Sequence, residues 1–523
     1  MMRHWMVPVP KESRSKRRLV EMPGSAPLMS LHSAYTRLPE RLFARVEPTP
    51  VSAPALVRLN RPLALQLGLD SDMLESPAGV EVLSGNRLPE NSEPLAMAYA
   101  GHQFGNFVPS LGDGRAILLG EVQDHSGILR DLQLKGAGRT PFSRMGDGRA
   151  GLPSVMREYL ASEAMAGLGI PSQRALALTT TGEPVYREEV EPGALLTRVA
   201  SSHVRFGTFQ YFLYRGDPEA LRALADHVVE RHYPDLSGHP DGKARWLALL
   251  ERVTARTADL VADWMLVGFI HGVMNTDNMS IVGETIDFGP FGFMDSYHPE
   301  TVFSSIDQGG RYAFNQQPGI AGWNLARFAE TLLPLMKEGE EGEDELVESA
   351  QQALKAFGPR FSSRYQAGLL RKLGLERARE GDPELAGELL SLMAQQGADY
   401  TLAFRRLSAL RAGDTGEDEP LRELFAEPRA LDAWLERWRA RLEEESAGDA
   451  ARRRAMEAVN PAFVLRNHHA QRVIDAAVRD RDFAPFHELV EVLGSPFEDQ
   501  PGREHWSRPP RPEEVVPYTT CGT

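Results

Sequence analysis

Residues 268–295 read GFIHGVMNTDNMSIVGETIDFGPFGFMD. This stretch places His271, Asp277 and Asn278 a short way ahead of an Asp287-Phe288-Gly289 triplet. An amide oxygen and a carboxylate held close together on loops are hard oxygen donors, the kind that take Mg²⁺ together with phosphate oxygens. The pattern is a metal-nucleotide signature, and it governs how the rest of the chain is read.

Upstream, from Ser110, the texture is glycine turns and short apolar runs. Residues 116–122 and 128–135 flank a turn at 124–127, the pattern of a β-hairpin. The preceding loop, LGDGR at 111–115, supplies glycines whose backbone can approach a phosphate, although spaced glycines before a strand are also ordinary turn chemistry. Lys135 closes the second strand and opens a longer glycine-rich loop, GAGRTPFSRMGDGR at 136–149. Leu152, Val155, Met156, Tyr159 and Leu160 then recur at helical spacing, with Pro153 suited to the first turn. This predicts a helix over 153–168 that carries Glu158 and Glu163. A strand Lys paired to a helix Glu is held fixed for phosphate contact. Glu163 lies near the centre of the apolar stripe and Glu158 at its edge, so both are candidates beside the ordinary alternative of a solvated helix-edge charge.

Glycine loop, strand Lys, helix Glu, His-x6-Asn and Asp-Phe-Gly follow the order found in protein kinases, whose catalytic loop reads H-R-D-L-x-x-x-N. His271 and Asn278 keep that spacing, but Val273 stands where the catalytic-loop Asp belongs. An apolar side chain there can neither accept a proton nor orient a hydroxyl. His271 reads as a structural residue of the loop.

YAGHQFGNFVPSLGDGRA (99–116), DLQLKGAGRTPFSRMGDGRAG (131–151), REYLASEAM (157–165) and HGVMNTDNMS (271–280) closely resemble the selenoprotein O family, also called YdiU. The resemblance runs over roughly residues 30 to 523. It implies an α+β, protein-kinase-like bilobal pseudokinase fold with a β-rich N-lobe and an enlarged α-helical C-lobe. It also implies a protein adenylyltransferase that binds ATP end for end and moves AMP, with Mg²⁺ or Mn²⁺, onto Ser, Thr or Tyr hydroxyls. Carried over residue by residue, Gly112, Gly114, Arg115, Lys135, Asp147, Gly148, Arg198 and Arg205 would meet the nucleotide, with Glu158 as the partner of Lys135. Asp277 would be the proton acceptor, and Asn278 with Asp287 the metal site. For Asp277, a carboxylate that hydrogen-bonds the loop or a metal-bound water is the alternative. The implied partners are proteins, redox proteins among them, and the implied enzyme is a monomer.

AMP transfer is an in-line attack on the α-phosphorus with pyrophosphate leaving, so positive charge must gather on the departing phosphates. Arg115, Lys135, Arg139, Arg144, Arg149, Arg198 and Arg205 offer more of it near the glycine loops than a simple phosphate cradle needs. Two other classes compete: a conventional phosphotransferase, which Val273 opposes, and a noncatalytic nucleotide-binding scaffold, which Lys135, Asn278 and Asp287 oppose.

The 523 residues, 42% hydrophobic and 25% charged, describe a globular chain with ample core. A formal net charge of -15 argues against nucleic-acid binding, which needs clustered Lys and Arg. No run of about eighteen apolar residues suggests a membrane span. The basic N-terminus lacks the apolar core of a secretory signal and reads as a disordered extension rather than a mitochondrial presequence. One cysteine, Cys521, excludes an intramolecular disulfide and suits a reducing, cytoplasmic setting. Eukaryotic relatives carry Cys-x-x-Sec near the C-terminus; here Cys521 fills the selenocysteine-like position and Tyr518 the first Cys position, so no local redox pair can form. The expected organisation is a lead-in (1–90), an N-lobe with the glycine loops (91–200), a C-lobe core with the metal-binding loop (201–335), a helical extension (336–505) and a flexible tail (506–523). An acidic break is expected at 338–348, and one helix in the lead-in around 61–69.

Overall fold

The computed structural model of the chain describes residues 28–239, 242–337 and 342–520. The basic N-terminus, part of the acidic stretch and Cys521 lie outside the described residues. Among the described residues the fold is mixed α/β, with an eight-stranded antiparallel sheet, two two-stranded sheets and many helices. The strands are β1 (Phe43–Arg45), β2 (Ala55–Leu59), β3 (Leu95–Met97), β4 (Gly101–Gln103), β5 (Asn106–Val108), β6 (Ala116–Gln123), β7 (Leu129–Lys135), β8 (Ala150–Gly151), β9 (Arg174–Tyr186), β10 (Val190–Ala200), β11 (Phe269–Ile270) and β12 (Gly292–Phe293). The large sheet runs β1-β3-β6-β7-β10-β9-β2, with β8 added to β10; β4 pairs with β5 and β11 with β12.

The β6–β7 hairpin forms where the alternation predicts it. Its turn is tied by Asp124, whose carboxylate accepts from the Ser126 and Ile128 amides at 3.0 and 2.9 Å. On β7, period-two alternation sorts the side chains. Leu132 and Leu134 enter a core beneath the helices α1 (Arg61–Gln66), α2 (Ser71–Glu75) and α3 (Pro77–Leu83). Gln133 and Lys135 take the opposite face, which α4 (Leu152–Gly167) covers. Pro153 sits in the first turn of α4, where a missing N–H costs nothing.

The lead-in differs from expectation. Residues 43–59 supply β1 and β2, the two outer strands of the large sheet, and three short helices follow rather than one. Asn60 and Asp70 cap α1 and α2 by accepting from the Leu63 and Met73 amides at 3.2 and 3.1 Å. These strands are short and proline-flanked, so their alternation is too brief to read.

Behind the sheet stand α5 (Phe206–Tyr214), α6 (Pro218–His232), α7 (Lys243–Leu266) and α8 (Gln317–Met336), which share the largest apolar core with α4. Beyond them come α9 (Glu343–Leu354), α10 (Phe357–Lys372), α11 (Asp382–Gln396), α12 (Tyr400–Leu407), α13 (Glu419–Arg422), α14 (Pro428–Leu442), α15 (Asp449–Glu457), α16 (Asn467–Asp475) and α17 (Ala484–Gly494). Helices α10 to α14 enclose a separate core around Trp434 and Trp438. The acidic residues 343–348 are not a break: Glu343, Asp344 and Glu345 form the first turn of α9, where negative charge complements the helix dipole, and Leu346 is buried. No described helix is long and apolar enough to cross a membrane.

Candidate active site

A cavity of about 500 Å³ opens between the glycine loops, the inner face of β7 and β10, and the loop residues 273–289. Gly112, Gly114, Arg115, Lys135, Asp147, Gly148, Arg198, Arg205, Asp277, Asn278 and Asp287 all line it. Among the expected cations, Arg139 is not part of the wall; its guanidinium donates to the Arg144 carbonyl at 3.3 Å.

Glu158 lies behind the wall, completely buried. One carboxylate oxygen accepts from Lys135 Nζ; the other accepts from Arg198 Nε and Gln173 Nε2, each at 2.6 Å. Burial opposes its charge, but Arg198 and Lys135 outweigh burial and hold the carboxyl at about 2. Burial in turn pulls Lys135 down to about 8 despite Glu158, with Arg115 and Arg198 adding repulsion. Glu163, the other candidate, instead binds Arg174 at 2.7 Å and Asn60 Nδ2 at 2.7 Å. Both glutamates reach the sheet from α4, but Glu158 is the one set over the end of β7. β10 aligns Arg198 with Gln133 and Leu196 with Lys135, so both cations project from one face.

Asp287 carries the second charge cluster. Its carboxylate pairs with Arg205 and lies 3.1 Å from Arg198 Nη2. Against burial, Arg205 and Arg198 hold it well below the usual carboxylate range. Its φ of +56° is a conformation that non-glycine residues rarely adopt. The residue before it is fixed by His271, whose Nε2–H donates to the Ile286 carbonyl at 3.0 Å, while burial keeps the imidazole below its ordinary value. His271 is therefore a buried strut of this loop. Phe288 packs on Phe269 and Phe291, anchoring the triplet in the core.

Asp277 is 6% exposed. Its Oδ2 accepts from Gln103 Nε2 at 3.2 Å, and its Oδ1 is buried with no hydrogen-bond partner. Burial raises the carboxyl to about 6. Its own backbone carbonyl accepts from Arg205 at 2.7 Å, so one guanidinium links this loop to Asp287. Asn278 donates its amide N–H to the Val273 carbonyl at 2.9 Å, which turns its carbonyl oxygen free to act as a donor to a cation. Val273 itself lines the cavity as an apolar wall.

The glycine loops are laced to each other, and the second is closed on itself. Thr140 Oγ1 donates to the Asp113 carbonyl at 2.6 Å, Ser143 Oγ donates to the Gly114 carbonyl, and the Gly138 amide donates to the Gly148 carbonyl at 3.0 Å. Glycine is sterically required at Gly112, φ +75°, where a Cβ would strike the Phe142 ring, and at Gly148, φ +71°, where it would strike the Gly138 backbone. Asp147 is turned to Arg187, at 2.9 and 3.0 Å.

Several further residues line or border the cavity without a role read from the sequence. Tyr99 lies under the Arg205 guanidinium at 4.6 Å, and Asp113 sits 4.0 Å from Arg205 Nη2 and is raised by burial. Gln103 comes from β4, within the 99–116 run that carries the family resemblance, which gives it no role. Asp113 could have been found as the acid between two phosphate-loop glycines, and Gln103 as a polar residue within the YAGHQFGNF run. Thr520, at the far end of the chain, also lines the cavity, and no local signal marks it.

Compared with known protein families, residues 28–494 match the family described as protein adenylyltransferase SelO. Curated relatives include a protein nucleotidyltransferase YdiU of Alkalilimnicola ehrlichii, 59% identical over 497 residues, covering 95% of this chain and 99% of the relative. Proteins of the same name from Rhodopseudomonas palustris strain BisB5 and Bradyrhizobium sp. strain BTAi1 are each 58% identical over 491 residues, covering 94% of this chain and 98% of each relative.

Proposed function

The chain belongs to the protein adenylyltransferase SelO family, and from that premise we propose that it transfers AMP from ATP to Ser, Thr or Tyr hydroxyls of proteins, on a bilobal kinase-like fold. The observation that carries this reading is the asymmetry of charge in the cavity. Lys135 and Arg198 stand buried over Glu158, Arg205 joins them through Asp287, and the position of a kinase base is the apolar Val273. Such an arrangement suits a leaving pyrophosphate held deep, with the α-phosphorus left towards Asp277.

In the reaction the acceptor oxygen bonds to the α-phosphorus and the bond from that phosphorus to the α,β-bridging oxygen breaks. Pyrophosphate leaves with the electron pair, and the hydroxyl proton passes to Asp277. A carboxyl raised to about 6 is ionised at neutral pH yet basic enough to accept that proton. Lys135, Arg198 and Arg205 stabilise the charge on the departing phosphates, and the glycine loops bring backbone amides to the triphosphate.

The residues fit a divalent cation. Asn278 Oδ1, the Asp287 carboxylate and the unpartnered, buried Asp277 Oδ1 are all hard oxygen donors. Mg²⁺ needs only one or two protein carboxylates beside phosphate and water oxygens, which agrees with the absence of a larger ligand cluster among the described residues. Asn278 and Asp287 would hold it; when bound, Mg²⁺ or Mn²⁺ neutralises phosphate charge and orients the oxygens.

The test uses ATP labelled at the α- or the γ-phosphate with Mg²⁺ and a mixture of cell proteins. Label should enter protein from the α position and vanish in Asp287→Ala. Entry from the γ position alone would make the chain a phosphotransferase, and tight nucleotide binding without transfer would make it a scaffold.

A further inference from the structure

Thr520 reaches the cavity because the segment before it is bound as a strand. The Thr519 amide donates to the Phe303 carbonyl at 2.7 Å, and the Ser305 amide donates to the Thr519 carbonyl at 3.3 Å. Together these make a parallel bridge between Ser304 and Thr519. Thr519 is 6% exposed, and its hydroxyl lies 3.3 Å from the Phe291 carbonyl, just beyond the Asp287-Phe288-Gly289 triplet. Successive strand residues point to opposite sides, so burying Thr519 leaves Thr520 at the cavity wall. The approach is stiffened by Pro509, Pro510, Pro512 and Pro517 and pinned by the Arg508–Glu514 pair at 2.6 Å.

We propose that the backbone edge of residues 303–305 is the docking track for the acceptor segment of a protein substrate, and that residues 517–520 occupy it as a built-in competitor. The partner is an extended peptide that pairs in parallel with this edge and places a hydroxyl-bearing residue one position beyond the paired one. Main-chain hydrogen bonds give such strand addition its affinity whatever the sequence, so one track serves many proteins. Ile306, next along the segment and 66% exposed, supplies an apolar rim. The tail is covalently tethered, at an effective concentration of about millimolar, so a free peptide of equal intrinsic affinity displaces it only above that concentration. The inference rests on the AMP-transfer reading above for its acceptor role.

The experiment uses the full chain and an N-terminally fluorescein-labelled peptide of sequence VVPYTT, which reproduces residues 515–520. Peptide binding is read by fluorescence anisotropy and needs no transfer. Thr519→Pro removes the amide donated to Phe303 and frees the track, so the peptide should bind at least about tenfold more tightly than to the wild type. Adding Ser305→Pro, which removes the edge amide, should abolish that binding. A variant ending at Val516 should behave as Thr519→Pro does. Equal affinity for wild type and both released variants, or no binding to any, overturns the proposal. If both released variants lose ATP binding and cooperative unfolding, the tail is a structural strap and the proposal is likewise overturned. Transfer of α-label with no gain on release leaves the reaction standing and removes the track. Tail-competitive binding without any transfer keeps the peptide site and removes the reaction.

Discussion

Glu158→Gln removes one charge and leaves its volume. The carboxylate is completely buried and binds Lys135, Arg198 and Gln173. Holding a carboxyl of ordinary value 4.5 at about 2 corresponds to about 3 kcal/mol of favourable interaction at neutral pH. Removing one partner of a buried ion pair costs about 3–5 kcal/mol, because the remaining charges stay buried. The variant should therefore lose about 3–5 kcal/mol in urea denaturation. Because the folded value is depressed, the contribution is present above the unfolded value near 4.5 and is lost as pH falls through about 2. The Glu158 share of the deficit should thus close in acid, as pH falls from about 4.5 through about 2. Nucleotide affinity carries a second signature. Lys135, already at about 8, loses the partner that raises it and so gives up its proton at a lower pH than in the wild type. Calorimetry should show the loss of ATP affinity relative to wild type at its greatest just below about pH 8, where Lys135 is charged in the wild type and neutral in the variant, with partial recovery in more acid solution. An unchanged urea midpoint together with pH-independent affinity equal to wild type would refute the linkage between Glu158, Lys135 and phosphate binding.

Asp277→Asn keeps the shape and can keep the contact to Gln103, so nucleotide affinity should hold while the transfer rate falls about 10²-fold; a loss below about threefold would remove Asp277 as the base. Gly112→Ala adds a Cβ against Phe142 at a left-handed backbone position and should weaken ATP binding about tenfold, as read by calorimetry, with the fold intact by circular dichroism. Lys372 is buried with Nζ 4.4 Å from the Phe404 ring centroid, and burial lowers it to about 7. The unfolded chain therefore binds a proton that the folded chain lacks between about pH 7 and 10, so wild-type stability should rise with pH across that window. Lys372→Met should remove the part of the rise that begins near pH 7, leaving the share Lys135 adds above about pH 8, and stabilise the protein by about 1–3 kcal/mol at neutral pH; a variant less stable than wild type would contradict this.

What the sequence discloses depends on how local the cause is. The β6–β7 hairpin and α4 follow from alternation, turn residues and a first-turn proline, all within a few residues. Arg198 and Lys135 come to one face because β10 pairs with β7, and strand pairing is not written in either strand. The choice between Glu158 and Glu163 fails on stripe geometry because both side chains are buried against the sheet, and only the end of β7 decides which meets Lys135. Asp113 lies between motif glycines and is ionically tied to Arg205, a long-range contact that a loop reading does not supply. Thr520 is more distant still: its place in the cavity wall depends on hydrogen bonds from Thr519 to Phe303 and from Ser305 to Thr519 across some two hundred residues of chain.

The most direct measurement is the orientation of a nonhydrolysable ATP analogue bound with Mg²⁺ in a crystal of this protein. The account predicts the β- and γ-phosphates seated deep, against Lys135 and Arg198, with the α-phosphate facing Asp277 and the opening lined by Thr520. A γ-phosphate at that opening, with the α- and β-phosphates behind it, would contradict AMP transfer.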